Sequence, residues 1–513
     1  MKDHLNWWSL FVCGIENSYL YVLYLRRCLM DRKIKYHNWK GSEGLKGFIN
    51  SFNDNVIVYF DPDVDGMISG YFVCKYLTMI GKRFRWYVNS NRSHNWGIDT
   101  NKIKGSDIIA VDFMIPRSKI CELVKSGCNI VSMDHHINQN SFIVVNSKGK
   151  RGIVINNQYP FEEDDGRYLS GAGVVFETLC CIEPKFDTIE NRALVGLTLL
   201  SDVCNIENDL AKGYLYDLYT HKMKGFIKYL IDNTIGDRDY GFGVPRLDRK
   251  YVEYKFSPAI NSCLRFNKED DVVRFFLGSG NLDLDYHKRQ KTLVKDMVKV
   301  ANVREFSNLR VVFVKDWEVE TNEDVSIISN FIGLIASQYL DGKKSVIAYV
   351  ISKDSEGNKY VKRGSFRGNI PSADYLSAVQ GIIEGKGHPP AFGITEIKPS
   401  KMLFNTLNNI CKEVEGNNTN RVSITPVSNL SMFSHKNGKK FAEHNLYCLA
   451  QNNKYIRYIG NNISVKHEGA SFIKYKVDGI EVMCFDLSLN FSTGLIYPIL
   501  ERGYLYYYLQ GEN

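Results

Sequence analysis

Three stretches, VIVYFDPDVDG (Val56–Gly66), IIAVD (Ile108–Asp112) and NIVSMDHH (Asn129–His136), each set a carboxylate immediately after a β-type apolar run. A fourth carboxylate, Asp202, follows the apolar stretch in LVGLTLLSDV. If the three runs are neighbouring parallel strands, several aspartates and two histidines meet at one sheet edge, where open α/β folds bind ligands. Oxygen-rich donors with imidazole admixed suit a pair of hard or borderline divalent cations, Mn²⁺ or Mg²⁺ foremost. The pattern points to a metal-dependent phosphoester hydrolase.

Working outward, VIVYF is followed by the helix-like SGYFVCKYLTMIGK, and IIAVD by SKICELVKSG and then NIVSM. Two strand–helix–strand units in succession predict a parallel sheet with crossover helices. GAGVVFETLCCI and NRALVGLTLLSDV read as helices packed on that sheet, and YHKRQKTLVKDMVKVANV as a charged connecting helix. A second α/β segment begins near Leu309 (LRVVFVKD) and runs through SIISNFIGLIASQYL and KSVIAYVIS to about Lys398. Past Lys412, GNNTNRVSITP is linker-like, and the remaining residues are rich in β-branched and aromatic side chains broken by Asn and Gly. The expected division is a helical lead-in over 1–50, a catalytic α/β domain over 51–285, a connecting helix over 286–305, a smaller α/β domain over 306–411 and a β-rich C-terminal domain over 412–513, for which an OB-like barrel is one architecture.

Bulk properties agree with this. A chain of 513 residues has room for two to four domains, and 44% hydrophobic with 24% charged residues is ordinary for a globular protein. No apolar run approaches the length of a membrane span, and Asp3, His4 and Glu16 interrupt the N-terminus before any signal-type core. Twelve cysteines without CxxC spacing, two of them adjacent at Cys180 and Cys181, read as free thiols of a reducing compartment. The formal charge of +8 permits a polyanionic partner without requiring one. The 31 tyrosines and 28 phenylalanines include candidate stacking platforms for bases, although core packing and AT-rich coding account for them equally well.

DPDVDG also opens an EF-hand loop, which needs a bidentate Glu at its twelfth position and a helix before it. Here the twelfth position is Phe72 and the preceding residues are strand-like, so calcium binding of that kind is excluded. A catalytic metal site and an acidic turn remain. Asp134-His135-His136 favours the first: side chains of a regular strand alternate between faces, but at a strand end the chain turns and neighbouring donors can converge.

These strings closely resemble, in order, the four acidic motifs of the DHH phosphoesterase superfamily: Asp61/Asp63/Asp65, Asp112, Asp134-His135-His136 and Asp202. Further segments are similar to the RecJ-type single-strand exonucleases, namely NRSHNWG (Asn91–Gly97), LSGAGVVFE (Leu169–Glu177), FSPAINSCLRF (Phe256–Phe266), GSFRGNI (Gly364–Ile370) and GKGHPPAFG (Gly385–Gly393), with ISNFIGLIASQYL like the opening helix of the DHH-associated domain. Departures are Lys386 inside the glycine triplet before His388, Asn95-Trp96-Gly97 at a Gly-Tyr-Gly turn, and Leu264 before Arg265.

The resemblance implies a two-metal centre of Asp61, Asp63, Asp65, Asp112, Asp134, His135, His136 and Asp202, with Asp61 the residue expected to stand behind the ligands. It implies that His388 acts on the scissile phosphate as donor or general acid, from a turn in which Gly387 lets the backbone come close. Arg92, Arg265, Ser365 and Arg367 would grip phosphate, planar guanidinium suiting bidentate recognition of a terminal phosphate. For each, a surface arginine or loop histidine without substrate contact is the plainer alternative. The implied activity is 5′→3′ degradation of single-stranded DNA to nucleoside 5′-monophosphates by a bacterial or phage protein of the bacterial cytoplasm, expected to be a monomer. The C-terminal domain would hold the strand through Lys436, Lys439, Lys440, Lys454 and Arg457, interleaved with Tyr447, Tyr455 and Tyr458, or these are solvated charges and core aromatics. RNA as substrate, and a single-strand-binding protein or other replication and repair proteins as partners, stay open. The rival readings are a DHH-type enzyme acting on oligoribonucleotides, pAp or cyclic dinucleotides, a pyrophosphatase, and a nucleic-acid-binding scaffold without turnover.

Overall fold

The computed structural model describes residues 44–89, 96–136, 142–146, 148–158, 168–202, 204, 206, 209–221, 224–234, 240, 241, 244, 245, 251–370, 373–388, 390–394 and 399–417, and, beyond these, seven strands between 424 and 511. A short helix α1 (Leu45–Asn50) leads into β1 (Val56–Phe60), α2 (Val64–Met79), β2 (Phe84–Val88), β3 (Asp107–Val111), α3 (Arg117–Lys125), β4 (Asn129–Asp134), β5 (Phe142–Val145) and β6 (Arg151–Asn156). The six strands form one sheet in the order β2-β1-β3-β4-β6-β5, parallel except for the edge strand β5. The parallel α/β sheet expected from the sequence is therefore present.

Why the three informative runs read as they do is now plain. β1, β3 and β4 are central strands, buried along their whole length, so both faces must be apolar and the run is continuous. At the margin, FRWYV of β2 alternates half-buried and exposed residues. The twofold period of β1 splits it between two cores. Val58 and Phe60 pack with α2, α4 (Gly171–Ile182) and α5 (Ile189–Ser201), while Ile57 and Tyr59 pack with Ile120, Leu123 and Val124 of α3. The larger core also takes α6 (Asp209–Thr220) and α7 (Gly225–Thr234).

A two-strand hairpin, β7 (Tyr240–Gly241) and β8 (Val244–Pro245), precedes α8 (Ser257–Arg265), α9 (Glu269–Phe276) and the charged α10 (Tyr286–Lys299). α10 buries only Gln290, Leu293 and Met297, a narrow stripe at helical spacing. Leu293 and Met297 join the core of a second six-stranded sheet. That sheet comprises β9 (Asn302–Glu305), β10 (Leu309–Lys315), β11 (Ser345–Lys353), β12 (Lys359–Arg367), β13 (Gly385–His388) and β14 (Ala391–Ile394), in the order β13-β14-β12-β11-β10-β9. On one face lie α10 and α11 (Ile332–Gln338); on the other, α12 (Tyr375–Ala378) and Phe404, Leu407 and Cys411 of α13 (Lys401–Asn417). The last strands, β15 (Ile424–Val427), β16 (Tyr455–Tyr458), β17 (Ile463–Glu468), β18 (Ile473–Val477), β19 (Ile480–Cys484), β20 (Gly494–Glu501) and β21 (Tyr504–Gly511), form a mixed sheet in the order β15-β16-β20-β21-β19-β18-β17. No helix among the described residues is long and apolar enough to cross a membrane.

Candidate metal centre

Strand register brings the carboxylates together. Phe60 pairs with Val111 and Val111 with Met133, so the next residues, Asp61, Asp112 and Asp134, line up at the C-terminal edge of β1, β3 and β4. β4 ends at Asp134, and the two histidines beyond it are freed from strand alternation. Their rings stand 4.7 Å apart, and ligand atoms of Asp112, His135 and His136 lie within 4.8 Å of one another. A second group with the same spacing is Asp65, His135 and Asp202. His135 Nε2 faces both groups, 3.3 Å from Asp112, 3.7 Å from Asp202 and 3.9 Å from Asp65.

Each donor is held by its own local chemistry. Asp63 caps α2, its carboxylate accepting from Gly66 N at 2.9 Å, and this turns Asp65 inward. A Cβ on Gly66 would stand 2.4 Å from the Asp61 carbonyl oxygen, which is why glycine ends the motif. Both oxygens of Asp65 accept backbone N–H groups at the start of α4, from Gly171 at 2.7 Å and Ala172 at 3.0 Å. A helix N-terminus is a natural partner for a carboxylate. Asp112 has φ +62°, a left-handed conformation rare outside glycine and asparagine, and such strain gathers at functional sites. Its carboxylate leaves room only for glycine at 171, where a Cβ would lie 2.3 Å from Asp112 Oδ1. Gly171→Ala is therefore expected to destabilise the fold by roughly 1–3 kcal/mol through overpacking. It should also weaken Mn²⁺-induced thermal stabilisation, and an unchanged Mn²⁺ titration would contradict this close approach.

Behind these donors, Asn89 Nδ2 donates to Asp61 at 3.2 Å and Tyr59 OH donates to Asn89 Oδ1 at 2.9 Å. Asp134 Oδ1 lies 2.8 Å from His136 Nδ1, a pairing that sets Nε2 as the basic nitrogen of the ring.

Packing this many carboxylates into a buried pocket is costly without a cation. Burial, then the charges of Asp202 and Asp63, push Asp65 well above the usual carboxylate range, against the helix N–H groups. Burial, then Asp65, Asp63, Asp61 and Asp202, do the same to Asp112. Asp134 goes the other way: burial raises it, but the charge and hydrogen bond of His136, with His135, outweigh this and leave it lowered. Asp112 Oδ1 and Asp134 Oδ2 are buried without a hydrogen-bond partner. Orphaned buried oxygens beside imidazole nitrogens fit a divalent cation, which would satisfy them and replace the retained protons.

Strand β12 of the second sheet comes close to this edge at Arg363. Arg363, Ser365 and Arg367 fall on one face of β12 at the twofold strand period; burial lowers the pKa of the half-buried Arg363 guanidinium, and the negative charge of Asp61 raises it. Arg367 Nη1 donates to Ser365 Oγ at 2.9 Å and to the Phe366 carbonyl at 2.7 Å, and no carboxylate pairs with it among the described residues. Burial pulls it down to about 10. A half-buried guanidinium with no carboxylate partner among the described residues is suited to receive an anion. Arg265 closes α8, where its Nη1 donates to Gln290 Oε1 at 2.9 Å and its carbonyl accepts from Asn330 Nδ2 at 3.0 Å. Gly387, with φ +137°, and His388 end β13 next to β14. The His388 imidazole and the whole of Arg92 lie outside the described residues. So do Lys436, Lys439, Lys440, Tyr447 and Lys454, and the side chains of Tyr455, Arg457 and Tyr458 on β16.

Sequence reasoning passed over Asn89, Arg363, Cys204 and the start of α4 as contributors to the site. Asn89 was findable, since it follows the β2 run as Asp61 follows β1. So was the N-cap Ser170 before Gly-Ala-Gly, a start-of-helix signal. Arg363 needed only the alternation through Ser365 and Arg367. Cys204 Sγ donates to Asp202 Oδ2 at 3.5 Å just past the end of α5, two residues away, and a lone cysteine there carries no signal of its own.

Residues 55–200 match the model of the DHH family, N-terminal domain. Among solved structures, the fold is similar to RecJ from Thermus thermophilus in complex with Mn²⁺, with TM-score 0.62 and 15% identity over 97% of this chain and 75% of that chain. The same protein in complex with Mg²⁺ gives TM-score 0.56 and 14% identity over 97% and 73%. Exonuclease RecJ bound to manganese gives TM-score 0.50 and 14% identity over 74% of this chain and 95% of that one. No curated protein matches by sequence. At such identities the structural likeness is one of fold. Residues 55–200 are thus a DHH-family N-terminal domain, and the chain that carries it has a RecJ-like fold.

Proposed function

We propose that this protein is a metal-dependent phosphodiesterase that degrades single-stranded DNA from its 5′ end, releasing nucleoside 5′-monophosphates. The observation that carries the reading is the sheet-edge cluster of aspartates and histidines with orphaned buried oxygens, to which β12 brings Arg363 close. Asp65, His135 and Asp202 would hold one Mn²⁺ or Mg²⁺, and Asp112, His135 and His136 a second. Asp134 orients His136, while Asp61 and Asp63 border the pair. When bound, two such cations neutralise charge on phosphoryl oxygens and acidify water.

The chain's own residues do the rest. Arg367, with no carboxylate partner among the described residues, takes the terminal phosphate together with Ser365 and Arg265. Arg92 is a further phosphate grip. Arg363 adds positive charge between that phosphate and Asp61. His388 donates a proton to the leaving 3′-oxygen as the P–O3′ bond breaks. The C-terminal sheet holds the strand beyond the site. Fold likeness to exonuclease RecJ bound to manganese supports the reading of a cation-dependent exonuclease.

The test uses long single-stranded DNA labelled at one end, with and without a 5′-phosphate, and dinucleotides as the competing substrate, all with Mn²⁺. Mononucleotides from the 5′-labelled end are expected from the first reaction on. Strong cleavage of dinucleotides with none of the long strand would assign the enzyme to short oligonucleotides or cyclic dinucleotides instead. Arg367→Lys is expected to remove most of the preference for a 5′-phosphate, raising KM more than it lowers kcat, because an ammonium cannot form the forked contact. A preference unchanged in that variant would take Arg367 out of phosphate recognition.

A further inference from the structure

β12 does not keep one side-chain period along its length. Arg367, Ser365 and Arg363 pair with Val346, Ala348 and Val350 of β11, whose side chains enter the core shared with α10 and α11. Val361 would be next in that row, yet it pairs with Ile351 and packs in the core on the opposite face. The register slips at Lys362, the extra residue of a β-bulge. Tyr360, opposite Ser352, therefore returns to the face that carries Arg363. Without the bulge it would point with Phe366 into the other core.

Instead the residue is 47% exposed. A single exposed tyrosine is ordinary, but this one continues a row of cations. From Lys359 to Arg367 the strand carries Lys359, Lys362, Arg363 and Arg367 and no acidic residue. Lys362 reaches over the same face, where its Nζ donates to the Ser326 carbonyl at 3.0 Å, beside Ile327 and Ile328 of that core. By strand rise, Tyr360 lies about 7 Å beyond Arg363, and Arg367 about 13 Å before it. We propose that Tyr360 is a stacking platform for a base on the 3′ side of the scissile bond. Single-stranded DNA then runs along β12 from its 5′ phosphate at Arg367, past the cation centre near Arg363, to Tyr360. This rests on the reading of Arg367 as the phosphate grip and of the aspartate–histidine cluster as a metal centre.

Basic groups that follow a sugar–phosphate backbone, with an aromatic ring set among them, are what a sequence-tolerant single-strand site needs. Every base has a π face, so the stack adds affinity without reading sequence. In a duplex those faces are already covered by neighbouring base pairs, so a ring at this position selects an unpaired strand. The bulge supplies the placement, as bulges beside active sites re-aim a side chain that regular pairing would bury.

The probes are 5′-phosphorylated single-stranded oligonucleotides with one abasic site, moved stepwise from the second nucleotide inwards, cleaved by the full chain with Mn²⁺. In wild type an abasic site at one position near the 5′ end should raise KM about tenfold, the scale of one lost base stack. Tyr360→Ala should raise KM for the intact strand by the same factor, lower kcat far less, and erase the penalty of that abasic site. Tyr360→Phe and Tyr360→Trp should keep the wild-type KM and the positional penalty, since the ring and not the hydroxyl makes the stack. An abasic profile identical in wild type and Tyr360→Ala, or a Tyr360→Phe variant as impaired as Tyr360→Ala, overturns the assignment of Tyr360 while cleavage of single-stranded DNA stands. Wild-type protein that leaves every single strand intact removes the substrate reading, and this subsite with it.

Discussion

Asp112→Asn is expected to lower cation-dependent phosphodiester cleavage by roughly 10³-fold, the upper end of what loss of one preorganised electrostatic group costs. Asparagine is the informative replacement because residue 112 has φ +62°, where asparagine is among the few tolerated side chains. The backbone and the shape of the pocket are kept and one charge is removed. Two effects should then separate. Mn²⁺-induced thermal stabilisation shrinks, since a ligand oxygen beside His135 has lost its charge. The metal-free protein, by contrast, melts at a higher temperature than wild type, because burial and Asp65, Asp63, Asp61 and Asp202 all oppose a charge at this position. Single-turnover rates and melting curves with and without Mn²⁺ measure both. A wild-type rate would take Asp112 out of the centre.

Stripping cations with a chelator is expected to abolish turnover and to lower the melting temperature more at alkaline than at acidic pH. Asp65 and Asp112 are raised in the folded protein, so above the ordinary carboxylate range the native state holds more protons than the unfolded chain. Stability of the metal-free protein therefore falls as pH rises from the ordinary carboxylate range towards their raised values. Asp134, lowered in the fold, has the opposite sign: its contribution is present above that range and is lost as pH falls through its folded value. Above the ordinary carboxylate range Asp134 is ionised in both states and adds no slope, so the cluster's slope there is the negative one of Asp65 and Asp112. Cations displace those protons, so excess Mn²⁺ should flatten the slope and bind more tightly at higher pH. At a hundredfold excess over its dissociation constant, one bound ion stabilises by about 2.7 kcal/mol. A chelated protein whose melting temperature climbs steadily from about pH 5 to about pH 8 would mean that these carboxylates keep no protons.

Much of the site was legible because its backbone is regular. A central parallel strand must be apolar on both faces, so VIVYF, DIIAV and NIVSM stand out in the sequence, and the residue after each is automatically at the ligand-binding edge. Asp61, Asp112 and Asp134 follow from that rule alone. Asp65 is harder, because it reaches the cluster through the first turn of α2 and is fixed by N–H groups of α4 about a hundred residues away in sequence. Asp202 closes a helix and carries no strand signal of its own.

Residue types, their order and the strand periods are thus enough to derive a parallel α/β sheet with a cluster of divalent-cation ligands at its carboxyl edge. Only the tertiary structure decides how those ligands are used. It divides them into two overlapping groups around His135, forces Asp112 into a left-handed backbone against Gly171, and leaves two carboxylate oxygens buried without partners. It also puts Arg363 within reach of the Asp61 charge. The physical reason is range. Periodicity acts within one strand or one helical turn, whereas burial, charge repulsion and cation coordination act between residues that only folding brings within a few ångströms.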